Sequence, residues 1–364
     1  MTGRSPLLIV VGSGHRVYHE YLLSLMAEHA RVWLLRDAEP TWEKLYIAGC
    51  TVVDTRDSAA VVEAATRLAD RVTVDGVLCL DEARSVPSAH AAAALGLPTA
   101  GAEVVGRSQN PDGVRDALAA AGVPHVAEAE RRADDLTFDI ACVDGEPFPL
   151  FVSRQIDAVF PELTGSGHVV DSTFADEEMT ALAVAAQRAI GVRYGVTHTR
   201  VRRTARGPKI VSVHWGLSGD LVPYAASIAA GVNPGRVLVQ VARGIRPDPI
   251  PVRAHRVAAV RFLTAQADTA PGLVHADETR LPSSVDVAEA FPAPDRRSTG
   301  TGGGTRSLRY AYSVVVDDTV EGCARALTAA EKAFMPRSKG EFRDGTTGIP
   351  DAPVLPDASV GPVR

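Results

Sequence analysis

The first hundred residues alternate short apolar runs with helical patterns, and this rhythm limits the possible folds more than any other feature. Leu7–Val11 is a continuous apolar run, as in a strand buried on both faces of a parallel sheet. A helical pattern covers 17–29, and strand-like runs return at 31–35, 51–54 and 74–80. Strands that alternate with helices form doubly wound units. The sequence therefore predicts an α/β fold that begins with a doubly wound parallel sheet.

The pattern changes after the Gly96-Leu97-Pro98 break. Two strand pairs, at 138–153 and 196–215, flank a long helical pattern at 176–190, which predicts an α+β arrangement. We therefore expect an N-terminal α/β domain (1–98), a linker helix with its connection (99–135), an α+β domain (136–335) and a disordered tail (336–364).

A stretch rich in Pro, Gly, Ser and Thr, residues 291–306, is expected to be a mobile loop. Its glycines at 298–306 imitate a phosphate-binding loop but lack the Gly-Lys-Ser/Thr ending of such loops. A flexible loop is the favoured interpretation, and the role of this segment stays open.

Composition excludes several classes of protein. The net charge of −6 argues against a nucleic-acid partner, and no apolar run approaches the roughly 20 residues that cross a bilayer, so no membrane association is expected. The four cysteines are far apart, which favours neither a disulfide framework nor a zinc site. The N-terminus passes straight into Leu7–Val11 without a targeting pattern, so we expect a cytoplasmic location.

Several stretches occur in an order and spacing that resemble a known family. They are Leu7–Gly14, Glu20–Leu23, Gly76–Leu78, Asp81–Ala83, Ala94–Pro98, Arg115–Leu118, Ala121–Pro124, Gly167–Asp171, Gly195–Thr199, Ser218–Asp220 and Pro223-Tyr224. The chain resembles the ATP-grasp superfamily, in particular the carboxylate–amine ligases that build dipeptides and peptide-like natural products. The resemblance implies an N-terminal α/β domain, a lid that clamps ATP, and a C-terminal α+β domain. It also implies a reaction in which a carboxylate is activated as an acyl phosphate and attacked by an amine.

The chain departs from this family wherever the family holds ATP and magnesium. The Asp-Lys pair that precedes the Arg115 helix aligns with Asn110-Pro111, and proline offers no charge. The family's lid of several tens of residues corresponds to about a dozen residues between Pro124 and Leu136. A separate domain needs on the order of 50 residues. We therefore predict that the lid subdomain is missing.

The metal-site hairpin of the family has also changed. Its first carboxylate position is Arg200, and its Glu-x-Asn-x-Arg pattern aligns with Ser212, His214 and Gly216. Phosphoryl transfer needs cations held by carboxylates, and a guanidinium repels them. We therefore predict that ATP and magnesium binding are lost and that no metal or other cofactor takes their place.

Strand alternation places His198, Arg200 and Arg202 on one face of the first strand, and Ser212, His214 and Gly216 on one face of its partner. If the hairpin keeps the family's orientation, the resemblance implies that Arg200, Ser212 and His214 line the former metal site, so the predicted site has changed from cation binding to anion binding. These three are the candidate catalytic residues. The candidate substrate-binding residues are Arg202, His198, Asp220, Asp81, Glu82 and His168. Structural roles compete with each assignment. Arg202 fits a solvated strand residue, the lone histidines fit hydrogen-bonded structural positions, and the adjacent acids Asp81 and Glu82 fit a helix cap.

Three functions remain open on the sequence alone. The first is an ATP-grasp-fold biosynthetic protein repurposed for ATP- and metal-independent binding of, or chemistry on, an anionic amino-acid or peptide-like molecule. The second is an ATP-dependent carboxylate–amine ligase with replacement residues. The third is a non-catalytic pseudoenzyme that assists another biosynthetic protein, so the expected partners include a homodimer or a biosynthetic protein.

Overall fold

Two sheets organise the chain in the computed structural model, which describes residues 4–127, 134–163, 165–250, 254–266, 274–295 and 307–336. The N-terminal sheet is parallel, in the order β3-β2-β1-β4. Its strands are β1 (Leu7–Val11), β2 (Arg31–Arg36), β3 (Gly49–Val52) and β4 (Gly76–Leu78). The helices between them are α1 (Arg16–Ala27), α2 (Ser58–Ala69) and α3 (Ser85–Ala94).

Side chains of β1 alternate between two apolar clusters on opposite faces of this sheet. Leu7 and Ile9 pack with residues of α2 and α3, whereas Leu8 and Val10 pack with residues of α1. Both faces of the strand are therefore covered by helices, which explains its unbroken apolar run. The predicted parallel sheet is confirmed.

The second sheet has eight strands in the order β12-β13-β10-β7-β6-β5-β8-β9, and each neighbouring pair is antiparallel. The elements that connect the two sheets and begin the second are α4 (Ala102–Ser108), α5 (Pro111–Ala120), β5 (Leu136–Val143), β6 (Glu146–Gln155), α6 (Ile156–Val159), β7 (Ser166–Val170) and α7 (Glu177–Ala189). They are followed by β8 (Gly195–Thr204), β9 (Gly207–Trp215), α8 (Val222–Ala229) and α9 (Pro234–Ala242). The remaining elements are β10 (Val257–Gln266), β11 (Val274–Ala276), β12 (Val285–Asp295), β13 (Ser307–Asp317), α10 (Val320–Ala333) and β14 (Phe334–Pro336).

The two faces of the eight-stranded sheet differ in their coverage. α5 and α7 cover one face through a cluster that includes Ile140 and Cys142. α8 and α9, with Tyr18 and Tyr21 of α1, pack against the other face near Ala141 and Val196. The second face therefore turns toward the N-terminal sheet, and a site between the two sheets must be built on it.

The start of the predicted loop at 291–306 is wrong. β12 extends to Asp295, and Phe291 is buried in the core. The strand tolerates its prolines because it lies at the edge of the sheet and its register shifts between Ala290 and Asp295. Residues 296–306 lie outside the described residues, as does the predicted tail apart from Pro336.

The interpretation of Arg202 as a solvated residue is also wrong. Its guanidinium Nε and Nη2 donate to the two carboxylate oxygens of Asp135 at 2.7 and 2.9 Å, and both residues are buried. The alternation of β8 nevertheless holds, because Arg200 and His198 pair with Thr137 and Asp139 in register. This ion pair fixes the start of β5 against β8.

We expect Arg202→Ala to lower the free energy of unfolding by about 3–5 kcal/mol, because it leaves the Asp135 carboxylate buried without a partner. Urea unfolding at pH 7 measures the loss. Arg203→Ala is the matched control, since the adjacent arginine pairs with Asp176 at the exposed surface and should change stability by at most about 1 kcal/mol. Equal losses in the two variants would contradict the structural role of Arg202.

Candidate functional site

A cleft of about 360 Å³ lies between the two sheets. It opens beyond the carboxyl ends of β1 and β4, where ligands of parallel α/β sheets commonly bind. Its other wall is residues 216–221, which join β9 to α8 and which we call the 216–221 loop. The lining residues are Gly14, Tyr18, His19, Tyr21, Leu22, Cys79, Leu80, Asp81, Glu82, His198, Trp215, Gly216, Leu217, Ser218, Gly219, Asp220, Leu221 and Leu238.

The turn after β1 requires glycine for geometric reasons. Gly12 and Gly14 have φ values of 73° and 69°, and a Cβ on Gly14 would lie 2.5 Å from the His19 ring. The backbone N–H of His15 and the Nδ1 of His19 are 3.2 Å apart. The turn therefore places the start of α1 at the edge of the cleft.

Asp81 and Glu82 lie together at the cleft, as the sequence predicts, and Asp81 also has the alternative capping role. The Asp81 carboxylate accepts hydrogen bonds from the Ala83 N–H at 3.1 Å and from Arg84 Nη1 at 3.0 Å. Glu82 has no such partner among the described residues and is exposed. Arg84 offsets the charge of Asp81, so Glu82 is the acid that makes this end of the cleft negative.

Three side chains from three different strands hold the 216–221 loop. His198 of β8 contacts the Gly216 carbonyl through Nδ1 at 3.1 Å. Asp139 of β5 accepts from Ser218 twice, at Oδ1 from the backbone N–H at 2.7 Å and at Oδ2 from the hydroxyl. Arg309 of β13 binds both carboxylate oxygens of Asp220. The loop is therefore a fixed wall of the cleft.

Arg309 connects the 216–221 loop to two other elements of the fold. Its Nη1 and Nη2 donate to Asp220 at 2.6 and 2.9 Å, and it also contacts the Tyr18 hydroxyl at 3.1 Å and Ser166 Oγ at 3.2 Å. Asp220 and Leu221 have φ values of 58° and 60°, which residues with a Cβ rarely adopt. The ion pair with Arg309 helps to hold this unfavourable backbone, so Asp220 shapes the rim of the cleft.

Asp139 is a functional candidate that the sequence analysis missed. It is fully buried in the middle of β5, and desolvation raises the pKa of its carboxyl to about 7 although both Ser218 hydrogen bonds act to lower it. A single acid inside the apolar run 136–143 was the available signal, because an acid is rarely buried unless it has partners.

His198 forms the other end of the cleft, and His214 packs against it. Their rings stack with centroids 5.1 Å apart, and His198 lines the cleft. Burial lowers the pKa of His198 to about 4, and the charge of Arg200 adds to this, so its ring is neutral at pH 7. If Nδ1 carries the proton that is donated to Gly216, Nε2 is left as an acceptor.

Arg200 and Ser212 lie side by side behind the two histidines. Arg200 Nε donates to Ser212 Oγ at 2.8 Å across the β8–β9 pair. The predicted catalytic set of Arg200, Ser212 and His214 is therefore adjacent in space. No three His, Cys, Asp or Glu side chains within the described ranges are arranged to hold a metal ion.

Two predicted substrate-binding residues do not join this group. His168 lies on β7, which is separated from β8 by β6 and β5, so roughly 14 Å of sheet lies between them. Arg202 is engaged by Asp135. We assign Arg202 a structural role, and His168 has no place in the cleft described above.

We expect Asp139→Asn to change how stability depends on pH. The folded-state pKa of Asp139, about 7, lies above its ordinary value of 3.8, so the folded state binds the extra proton and loses stability as pH rises from about 4 to about 7. Asparagine removes this loss and can keep both contacts with Ser218. The free energy of unfolding of the variant should therefore increase relative to that of the wild type as pH rises, by on the order of 4 kcal/mol. Urea unfolding from pH 4.5 to 8 measures this, and a pH-independent difference would contradict the raised pKa.

Comparison with known proteins identifies the fold. No protein-family model matches the sequence, and no curated protein is similar to it. No helix within the described residues is long and apolar enough to cross a membrane. Among solved structures, the L-amino acid ligase from Bacillus licheniformis superposes with a TM-score of 0.69 at 15% identity, over 93% of this chain and 100% of the ligase.

Two synthetases are similar over comparable lengths. The phosphoribosylglycinamide synthetase from Anaerococcus prevotii matches with a TM-score of 0.69 at 9% identity, over 91% of this chain and 98% of that chain. The N5-carboxyaminoimidazole ribonucleotide synthetase from Thermotoga maritima matches with a TM-score of 0.62 at 13% identity, over 91% and 99%. The parallel sheet followed by the large antiparallel sheet is therefore the fold of the ATP-grasp ligases.

Proposed function

We propose that this chain binds a zwitterionic amino acid or a peptide-like molecule in the cleft between its two sheets, without ATP or magnesium. The observation that carries the proposal is the Arg200–Ser212 hydrogen bond. The resemblance assigns these two residues to positions at which the ligases carry metal-binding carboxylates, so here a guanidinium and a hydroxyl would take the place of metal ligands. Biosynthesis of a peptide-like natural product is the setting that the fold suggests for such a molecule.

The donor set at this position does not suit a divalent cation. Magnesium requires oxygen ligands, mostly carboxylates and water, and Arg200 would repel it. The residue pair at the start of α5 also lacks a phosphate-binding cation. Asn110 accepts a hydrogen bond from the Asp112 N–H at 3.0 Å and Pro111 follows it, so the pair is an ordinary helix cap.

The connection between α5 and β5 supports the absence of a lid. Pro124 and Val126 hydrogen-bond to the backbone of Ile210 on β9, and Asp135 is fixed by Arg202. Both ends of the connection are thus tied to the eight-stranded sheet, and only 127–134 lies between them. A segment of this length is far below the roughly 50 residues of a small domain.

The charges of the cleft match the two ends of an amino acid. Glu82, beside the Arg84-paired Asp81, forms a negative end that suits an ammonium group. At the other end His198 offers a neutral ring, and Arg200 behind it supplies a positive charge that suits a carboxylate. The separation of the two charges is what distinguishes a zwitterion from a simple anion.

We expect ATP with magnesium to leave the melting temperature unchanged, while a small amino acid raises it. Binding at 100 times the dissociation constant adds about 2.7 kcal/mol to stability, which is a readily visible shift. A thermal-shift screen should compare ATP–magnesium, L-alanine, propionate and ethylamine, each with and without EDTA. A magnesium-dependent shift with ATP would support an ATP-dependent ligase instead. No shift with any small molecule would favour a non-catalytic partner protein.

We also expect Arg200→Ala to weaken L-alanine binding by up to about tenfold, because the positive charge behind His198 is lost and the Coulomb attraction between ions several ångströms apart near a protein surface is on the order of 1–2 kcal/mol. Binding of ethylamine, which has no carboxylate, should change far less. Calorimetry of both ligands measures the contrast, with Arg203→Ala as an exposed neighbour that lies away from the cleft. Equal weakening of both ligands would show that Arg200 does not recognise the carboxylate.

A further inference from the structure

Ser218 lies at the floor of the cleft and is bonded to a group that no ligand can reach. Its side chain lines the cleft, whereas Asp139 behind it is 0% exposed. The two residues share two hydrogen bonds, so the position of Ser218 is set by Asp139. Ligand contacts at the floor therefore depend on the state of a carboxyl that is itself hidden.

The ionisation of Asp139 decides the direction of the hydroxyl bond. An ionised carboxylate only accepts, so the Ser218 hydroxyl must donate to it. The lone pairs of Ser218 Oγ then remain for a donor in the cleft. A protonated carboxyl can donate to Ser218 Oγ instead, which frees the hydroxyl hydrogen to point toward a ligand.

We propose that Asp139 is a positioning residue that makes Ser218 an acceptor for the ammonium group of the ligand, and that protonation of Asp139 turns Ser218 into a donor. This inference rests on the proposed function, because it assigns the amine end of the same ligand. Ser218 and the acids Asp81 and Glu82 then surround the ammonium from the two sheets.

Few titratable groups face Asp139. Tyr21 of α1 is near enough for the carboxylate to raise its pKa further, and His198 lies opposite on β8. Burial keeps both neutral at pH 7. β6 presents Phe151, and α9 contributes apolar residues to the same cluster. Asp139 is therefore the group beside Ser218 that changes charge near neutrality, consistent with its pKa of about 7.

The expected effect follows from the ionised fraction. With a pKa of about 7, roughly one molecule in eleven has ionised Asp139 at pH 6 and about ten in eleven at pH 8. If only the ionised form accepts the ammonium, ethylamine affinity should rise about tenfold between these pH values. Aliphatic amines remain protonated throughout this range.

Calorimetry with ethylamine at pH 6 and pH 8 tests the switch. Asp139→Asn places an amide N–H against Ser218 Oγ, so it should bind weakly at both pH values, like the wild type at pH 6. Ser218→Ala should also bind weakly at both. Asp81→Asn should bind more weakly than wild type yet keep the tenfold ratio, and His214→Asn should keep it too. The proposal would be overturned if Asp139→Asn still bound ethylamine about tenfold more tightly at pH 8 than at pH 6, or if His214→Asn no longer did.

A ligand-free measurement separates this inference from the proposed function. Carboxyl ¹³C NMR should show the Asp139 titration midpoint rising in Ser218→Ala, because the hydroxyl that stabilises the carboxylate is gone. An unchanged midpoint would overturn the assigned bond direction even if amines bind. A raised midpoint in a protein that binds none of the probes would instead support the Asp139–Ser218 bond and refute the proposed function.

Discussion

The ion pair between Arg309 and Asp220 joins distant parts of the chain into one site. Arg309 comes from β13 and Asp220 from the 216–221 loop. Tyr18, which also contacts Arg309, comes from α1. A buried arginine costs desolvation energy that a single contact does not offset. Here several contacts together offset that cost. The guanidinium makes two bonds to the Asp220 carboxylate and two contacts with hydroxyl groups, and the centre of the Phe262 ring lies 4.1 Å from its carbon. The wall of the cleft depends on this arrangement.

The same loop is held in place by contacts within the protein. His198, Asp139 and Arg309 provide them by binding the backbone of Gly216 and the side chains of Ser218 and Asp220. Each contact also leaves a polar surface in the cleft, so the residues that hold the wall determine what it can recognise.

The sequence predicted the parts of the fold that local pattern encodes. The parallel strands and the β8–β9 hairpin follow from apolar runs and turn residues, and alternation placed His198, Arg200 and Arg202 on one face correctly. The strands β10, β12 and β13 and the helix α10 were missed. Prolines and glycines interrupt the pattern around β12, and edge strands tolerate such residues.

The site residues that were missed act over long distances. Asp139 and Ser218 are 79 residues apart, and Arg309 and Tyr18 are 291 apart. No local pattern encodes such a pair. Arg202 was misjudged for the same reason, since its partner Asp135 lies 67 residues earlier in a charged connection that looked exposed.

The polar and charged residues of the cleft come from both sheets, and this affects how a ligand can bind. Asp81 and Glu82 belong to the N-terminal sheet, whereas Ser218, His198 and Arg200 belong to the eight-stranded sheet and its loop. A ligand with an ammonium at one end and a carboxylate at the other must therefore contact both sheets at once. Its binding energy adds to the contacts that α1 and α9 already make between them. Under the proposed function, a molecule with only one charge would interact fully with one sheet and only weakly with the other, so this two-sheet construction would favour a zwitterion.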